Sequence, residues 1–439
     1  MEAVVGLLND LIWSRALIAL CLGAGLYFSI RTRFMQVRGL GEMLRLLLDG
    51  KESKAGVSSF QALAMSLSGR VGTGNIAGVA TAITFGGPGA VFWMWVVAFL
   101  GASTAYVEST LAQIYKEKDD KGQYRGGPAY YIEKAMGQRW YAWIFALATV
   151  IATGFLLPGV QANSIAISMT EAWGIAPTVT AAGLVVGLGM IIFGGVHRIA
   201  HFTQLVVPFM ALAYVVAGLF VLVDHASALP GAIALCFNDA FTGTAAAGGF
   251  AGAAVKEAIR FGMARGIFSN EAGLGSAPIA HASAHTDHPA RQGSIAMLGT
   301  FIDTIVVCSV TGLAIVASGA WTSGEKGATL SALAFSSTFG TLGNVIVACG
   351  LAVFAFTTLL GWSLYGERCT QYLFGDKALL PFRVVWVLVV PVGAIVGLDL
   401  VWALADIMNI LMAVPNLIAL LLLAPVVVRL SNEFFKHHE

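Results

Sequence analysis

The chain has 439 residues, of which 57% belong to the hydrophobic set and only 11% are charged. Water-soluble domains carry about 25% charged residues because a folded surface has to be solvated, so this composition excludes a soluble enzyme and calls for a bilayer. With 25 Lys and Arg against 24 Asp and Glu, the net charge is close to zero and offers no basic surface to nucleic acid. The 51 glycines far exceed the usual share of about 7%, as in membrane helices, where glycine permits close packing and local unwinding.

A spanning helix needs about 20 mostly apolar residues, and the chain reads as about eleven such segments of an all-α polytopic membrane protein. In order they cover residues 11–30, 60–85, 90–115, 142–169, 179–193, 202–223, 250–284, 294–318, 342–364, 384–398 and 401–428. Residues 1–59 hold the first helix and a basic loop. Residues 60–223 form one run of spans and 224–249 an external excursion carrying a surface helix. Residues 250–439 form the second run and a short tail, and 328–335 suggest another surface helix. The five cysteines (Cys21, Cys236, Cys308, Cys349 and Cys369) are scattered and read as small buried apolar residues. The start, with Glu2 and Asp10, lacks the basic stretch of a cleaved signal peptide. Lys and Arg crowd one set of loops: Arg31, Arg33, Arg38 and Arg45 in the first, Lys116, Lys118, Lys121 and Arg125 in the third. Lys326 and the helix-end Arg15 are the basic residues expected on the other side. The positive-inside rule then places the N-terminus outside and the C-terminus in the cytoplasm.

Two spans break the helical pattern. The first contains Ser68-Gly69-Arg70-Val71-Gly72-Thr73-Gly74-Asn75, and the second contains Phe268-Ser269-Asn270-Glu271-Ala272-Gly273-Leu274-Gly275-Ser276. Unsatisfied backbone in lipid costs several kcal/mol per group, so such stretches are tolerated only where they face protein or a water-filled cavity. Each opens a run of five spans. Five is odd, so the second run is expected upside down relative to the first, and matched broken helices in inverted halves mark a transporter's binding site. An intramembrane enzyme has no support here: no G-x-S-x-G elbow, H-E-x-x-H pair or paired catalytic aspartates occur in the spans. His281, His285 and His288 read as a solvated cytoplasmic turn. A channel is the other alternative that broken helices allow.

The run from Gly69 to Ala80 closely resembles the alanine or glycine:cation symporter family. So do Gly86-Gly87-Pro88-Gly89-Ala90, Phe92-Trp93-Met94-Trp95, Arg125-Gly126-Gly127-Pro128, Gln161-Ala162-Asn163-Ser164 and the stretch from Ser269 to Ser276. The resemblance spans nearly the whole chain. It implies a LeuT-type 5+5 inverted repeat with one additional N-terminal helix, and uptake of a small neutral amino acid in symport with Na+ across the cell membrane. H+ coupling is the alternative. Alanine or glycine is the implied substrate; ranking among small amino acids, stoichiometry and oligomeric state stay open.

A zwitterion needs both of its charges met. Its carboxylate suits backbone N–H groups where a half-helix begins, and Thr73, Gly74 and Asn75 are the expected cradle. Gln161, mid-span after Pro158-Gly159, is the expected acceptor for the ammonium, unless it bonds backbone between helices. Thr358, Trp362 and Tyr365 fall at i, i+4 and i+7 and so share one helix face. The LeuT motif Gly-Asn-Ala-Val-Gly-Leu-Gly-Asn matches Ser68 to Asn75 without a gap. That match implies Ser68 and Val71 carbonyls for one sodium and the Asn75 side chain for another. The resemblance further implies Thr357 and Thr358 hydroxyls and the Asp303 carboxylate as cation ligands, although such hydroxyls often bond their own helix backbone and Asp303 could relay protons instead. It makes Phe268 a lid over the substrate and Trp362 a wall. Ser269 and Asn270 are expected as polar groups of the second unwound turn, where Gly273 and Gly275 permit close backbone approach. Arg70 departs from the motif and is expected to point away from the ion, towards Glu108 or Glu271, whose carboxylates would buttress the breaks.

Overall fold

The computed structural model describes residues 15–48, 57–120, 122–242, 255–395 and 398–436. Helix α1 (Arg15–Arg31) leads through two short helices, α2 (Met35–Arg38) and α3 (Leu40–Leu48), to α4 (Ser59–Arg70). A reciprocal cap starts α4: the Ser58 hydroxyl accepts the Gln61 N–H, and the Gln61 side chain accepts the Ser58 N–H. The helix ends at Val71, whose backbone is extended, and the chain resumes through a wide turn, Gly74–Gly78, into α5 (Val79–Gly86). The expected break of the 60–85 segment is therefore present.

Then follow α6 (Gly89–Ile114), a small antiparallel hairpin pairing Glu117–Lys118 with Tyr124–Arg125, and α7 (Pro128–Met136). Neither the hairpin nor α7 stands out in the sequence, because both are too short and polar for a span. Helices α8 (Arg139–Ile151) and α9 (Leu157–Trp173) join through the wide turn Ala152–Leu156 into one long rod, and α10 (Pro177–Ile192), α11 (Gly195–Asp224) and α12 (Leu229–Thr242) complete the first half. Helix α12 is the surface helix expected within 224–249.

The expected span at 250–284 resolves into α13 (Val255–Asn270) and α14 (Ala277–Ala282), separated by an irregular stretch at 271–276; residues 250–254 lie outside the described part. Next come α15 (Pro289–Thr300), a wide turn Phe301–Cys308, α16 (Ser309–Ala317), α17 (Gly327–Phe339), α18 (Thr341–Phe374), α19 (Leu379–Ile395) and α20 (Leu398–Lys436). Among the described residues, seven helical runs are long and apolar enough to cross a membrane, and two shorter apolar helices accompany them. His281 departs from the reading of a solvated turn. It is fully buried, with Nδ1 against the Gln292 amide at 2.7 Å, because α14 packs against α4 and α6; His285 does stay exposed.

Packing sorts the spans into two sets. Helix α6 lies against α13 and α15, and α13 against α5. Helix α9 lies against α18 and α19, and α10 against α19. Helices α11 and α18 both touch α4 and so link the two sets. A doubly hydrogen-bonded ion pair holds α20 to α13: Arg265 donates to both Asp406 oxygens, at 2.9 and 2.7 Å, with both residues buried. Removing one partner of a buried pair strands the other charge and costs about 3–5 kcal/mol. Asp406→Asn should therefore lower unfolding stability in detergent by about that amount, whereas the double change Arg265→Met/Asp406→Leu should recover most of it. Equal losses in the two would show that the charges are independent.

Candidate functional site

Both breaks lie at mid-chain positions of buried spans, and side chains from neighbouring helices meet the peptide groups they release. At the first break the Gly72 N–H donates to Asn75 Oδ1 at 2.8 Å, and the Thr73 N–H and hydroxyl both donate to Gln161 Oε1, at 3.1 and 2.7 Å. The structure thus brings the expected Thr73 and Gln161 together from α9 and the first break. There is no room for a side chain at Gly72, since a Cβ there would sit 2.2 Å from Thr358 Oγ1 and 3.3 Å from Gln161 Oε1. At Gly74 a Cβ would meet Phe268 and Ser269 at 3.2 Å, so the first break touches the last turn of α13, just before the second break. Phe268 stands edge-on to Trp362, with ring centroids 5.9 Å apart.

The Asp303 carboxylate is the centre of a second cluster. It accepts from Asn75 Nδ2 at 2.7 Å, from Ser269 Oγ at 3.1 and 2.9 Å, and from Thr304 Oγ1 at 2.8 Å. Every one of these residues is fully buried. Asp303 reaches the site because it sits in the wide turn Phe301–Cys308, a distortion common at functional sites. Cys308, read from sequence as packing, lies in the same cluster, with its sulfur 3.3 Å from Asn75 Nδ2 and 3.4 Å from Ser269 Oγ. Its isolation from other cysteines and histidines left no signal, whereas its spacing of five residues from Asp303 could have been read.

The hydroxyls of Thr357 and Thr358 both donate to the Phe354 carbonyl, at 2.9 and 3.0 Å, so each keeps its oxygen lone pairs for another group. Thr358 also lies 3.4 Å from the Val71 carbonyl, while Thr357 faces Met210 on α11. Ser68 Oγ turns back to the Met65 carbonyl at 2.7 Å.

At the second break the expected order shifts slightly. Ser269 and Asn270 form the last turn of α13 rather than unwound chain, and the irregular stretch starts at Glu271, whose φ is 56°. Asn270 Oδ1 accepts the Ala272 N–H at 3.0 Å, and Glu108 accepts the Gly273 N–H at 3.3 Å. Gly273 and Gly275 have φ of 86° and 81°, and a Cβ on Gly275 would lie 2.6 Å from Pro128 of α7. Asn416 was not among the expected site residues. It donates from α20 to Glu108 at 3.0 Å and to the Gly273 carbonyl at 3.0 Å, and accepts from Tyr131 of α7. A polar residue beside Pro415 within a long apolar helix was the available clue. Trp362 and Tyr365 donate to the two Glu271 oxygens, at 2.7 and 3.2 Å. Glu108 thus accepts a freed N–H of the second break, whereas Glu271, within the break, accepts from side chains of α18. Arg70 differs from expectation: it ion-pairs with neither, and its Nη1 donates to the Ala296 carbonyl at 3.2 Å because Gly299 on α15 leaves space for it.

The sequence profile of the sodium:alanine symporter family matches residues 1–439. The chain belongs to that family. The symporter is 43% identical over 443 residues to the sodium/alanine symporter AgcS of Methanococcus maripaludis, covering 98% of this chain and 97% of that one. It is 47% identical over 442 residues to a putative sodium/proton-dependent alanine carrier, YrbD, of Bacillus subtilis, covering 97% and 90%. The fold is that of the LeuT-type transporter MhsT, solved with L-phenylalanine, at a TM-score of 0.57, 15% identity and coverage of 87% of this chain and 99% of that one. The family is one of integral membrane transporters, not of enzymes.

The crowding at Gly72 yields a direct check on the symporter. Gly72→Ala should wedge α18 from the first break and reduce transport by about tenfold or more, or 1.4 kcal/mol, while the protein still elutes as a folded species in detergent. Wild-type transport by this variant would show that the close approach is dispensable.

Proposed function

We propose that this symporter imports alanine or glycine together with Na+ by alternating access around the two breaks, in the cell membrane. The N-terminus would be outside and the C-terminus cytoplasmic, with 60–223 and 250–439 forming inverted five-helix repeats after one extra helix. The observation that carries this reading is the contact of the first break, at Gly74, with the turn of α13 that precedes the second, with the Thr73 N–H and Gln161 on one side and the oxygen-rich Asp303 cluster on the other.

A carboxylate binding at Thr73, Gly74 and Asn75 would take the place Gln161 Oε1 holds at the Thr73 N–H. Gln161 is then released to accept from the substrate ammonium, so one partner exchange serves both ends of the zwitterion. Phe268 and Trp362, edge-on to one another beside Gly74, would wall the site on one side. Na+ favours oxygen ligands. One ion would use the Val71 and Ser68 carbonyls with the Thr357 and Thr358 hydroxyls, the other Asp303 and the Asn75 amide oxygen. Turning the Asn75 amide towards an ion alters its grip on the Gly72 N–H, which links ion and substrate through one residue, and such coupling is reciprocal. Asp303 also supports a second reading, since a buried carboxylate surrounded by uncharged donors can take up H+ in place of Na+.

Thermal unfolding of the purified protein tests both. Alanine or glycine should stabilise it by about 2.7 kcal/mol at a hundred times Kd in NaCl but not in choline chloride; equal stabilisation in the two salts defeats sodium coupling. Uptake driven by a pH gradient in sodium-free vesicles would instead select H+. Asn75→Ala should raise the Na+ concentration for half-maximal uptake by about tenfold, a loss near 1.4 kcal/mol, and an unchanged sodium dependence would remove Asn75 from the ion site.

A further inference from the structure

Arg70 is the last residue of α4, immediately before the first break, and its side chain is 1% exposed. Among the described residues its one hydrogen bond runs from Nη1 to the Ala296 carbonyl, and Nε and Nη2 have no partner. Those two atoms form the edge by which a guanidinium grips a carboxylate through two parallel bonds. A buried cation with that edge free is costly, and such residues in membrane proteins are usually functional. Three buried carboxylates, Glu108, Glu271 and Asp303, lie at the two breaks.

Two of these carboxylates are committed to the breaks themselves. Glu108 accepts from the Gly273 N–H and Asn416, and Asp303 accepts from Asn75, Ser269 and Thr304. Glu271 is different, because the donors to its two oxygens, Trp362 and Tyr365, both come from α18. Helix α18 packs mostly with α9 and α17 and also touches α4 and α14, whereas the helices flanking the second break pack mostly with α6. The Tyr365 phenol oxygen lies 2.6 Å from the position a Cβ on Gly69 would occupy, so the hydroxyl that holds Glu271 lies against the residue before Arg70.

We propose that Arg70 and Glu271 form a switched ion pair: when α18 parts from the broken helices, Glu271 exchanges Trp362 and Tyr365 for the free edge of Arg70. This rests on the alternating-access reading above. The exchange keeps the Glu271 carboxylate partnered in both arrangements and gives the open edge of Arg70 a partner in one of them. Arg70 is then a positioning residue, which touches neither substrate nor ion.

A double-mutant cycle of Arg70→Gln, Glu271→Gln and both together tests the pair. Each single change should slow uptake turnover by about tenfold or more, or 1.4 kcal/mol, while the sodium-dependent stabilisation by alanine persists. The double variant should be faster than either single. Losses that multiply, or singles that also abolish stabilisation by alanine, overturn the proposal. If Arg70→Gln does not fold, Tyr365→Phe decides, since it keeps both charges and loosens the α18 grip on Glu271. Without ligand, it should speed amide exchange at residues 68–72 and 271–276; unchanged exchange there overturns the pair. This ligand-free readout separates failure of the pair from a wrong assignment of substrate.

Discussion

A bilayer supplies no water to a peptide group that leaves a helix, and that constraint organises the interior of this protein. Each break frees N–H and carbonyl groups that would cost several kcal/mol if left bare in hydrocarbon. Side chains answer them: Asn75 takes the Gly72 N–H, Gln161 takes Thr73, Asn270 takes Ala272 and Glu108 takes Gly273. These partners come from four different elements, so the breaks bind the helices together as well as interrupting them. Replacement of such a partner by a ligand changes how the helices are held, and this is the route from binding to motion.

Charge is handled with the same economy. Two buried carboxylates of the spanning helices are doubly bonded by an arginine, Asp406 by Arg265 and Glu367 by Arg383. Asp303, Glu108 and Glu271 are instead held by amides, hydroxyls, an indole and backbone N–H groups. Neutral donors steady a carboxylate without cancelling its charge, which leaves Asp303 with attraction for a cation and Glu271 free to change partners. Arg265–Asp406 is structural by contrast, clamping α20 to the helix that carries the second break.

Much of this was legible in the sequence because broken spans leave a compositional trace. Glycine and small polar residues in the middle of an apolar run marked both breaks, and the spacing of Thr358, Trp362 and Tyr365 put three site contacts on one face of α18. What the sequence concealed was long-range partnership. Nothing local says that Asn416 reaches Gly273 across more than a hundred residues, or that Arg70 turns to Ala296 rather than to an acid. Cys308 became visible only when the wide turn at Phe301–Cys308 rotated it towards Asp303. The hairpin and α7 escaped for another reason: both are short, and helix-periodicity arguments need several turns.

The most direct test of the central claim is a structure determined in NaCl with alanine. Bound alanine should appear between the breaks, its carboxylate about 2.7–3.2 Å from the N–H groups of Thr73 and Gly74, with Gln161 turned from Thr73 to the ammonium. Density for alanine elsewhere, with the Thr73–Gln161 bonds intact, would contradict the account.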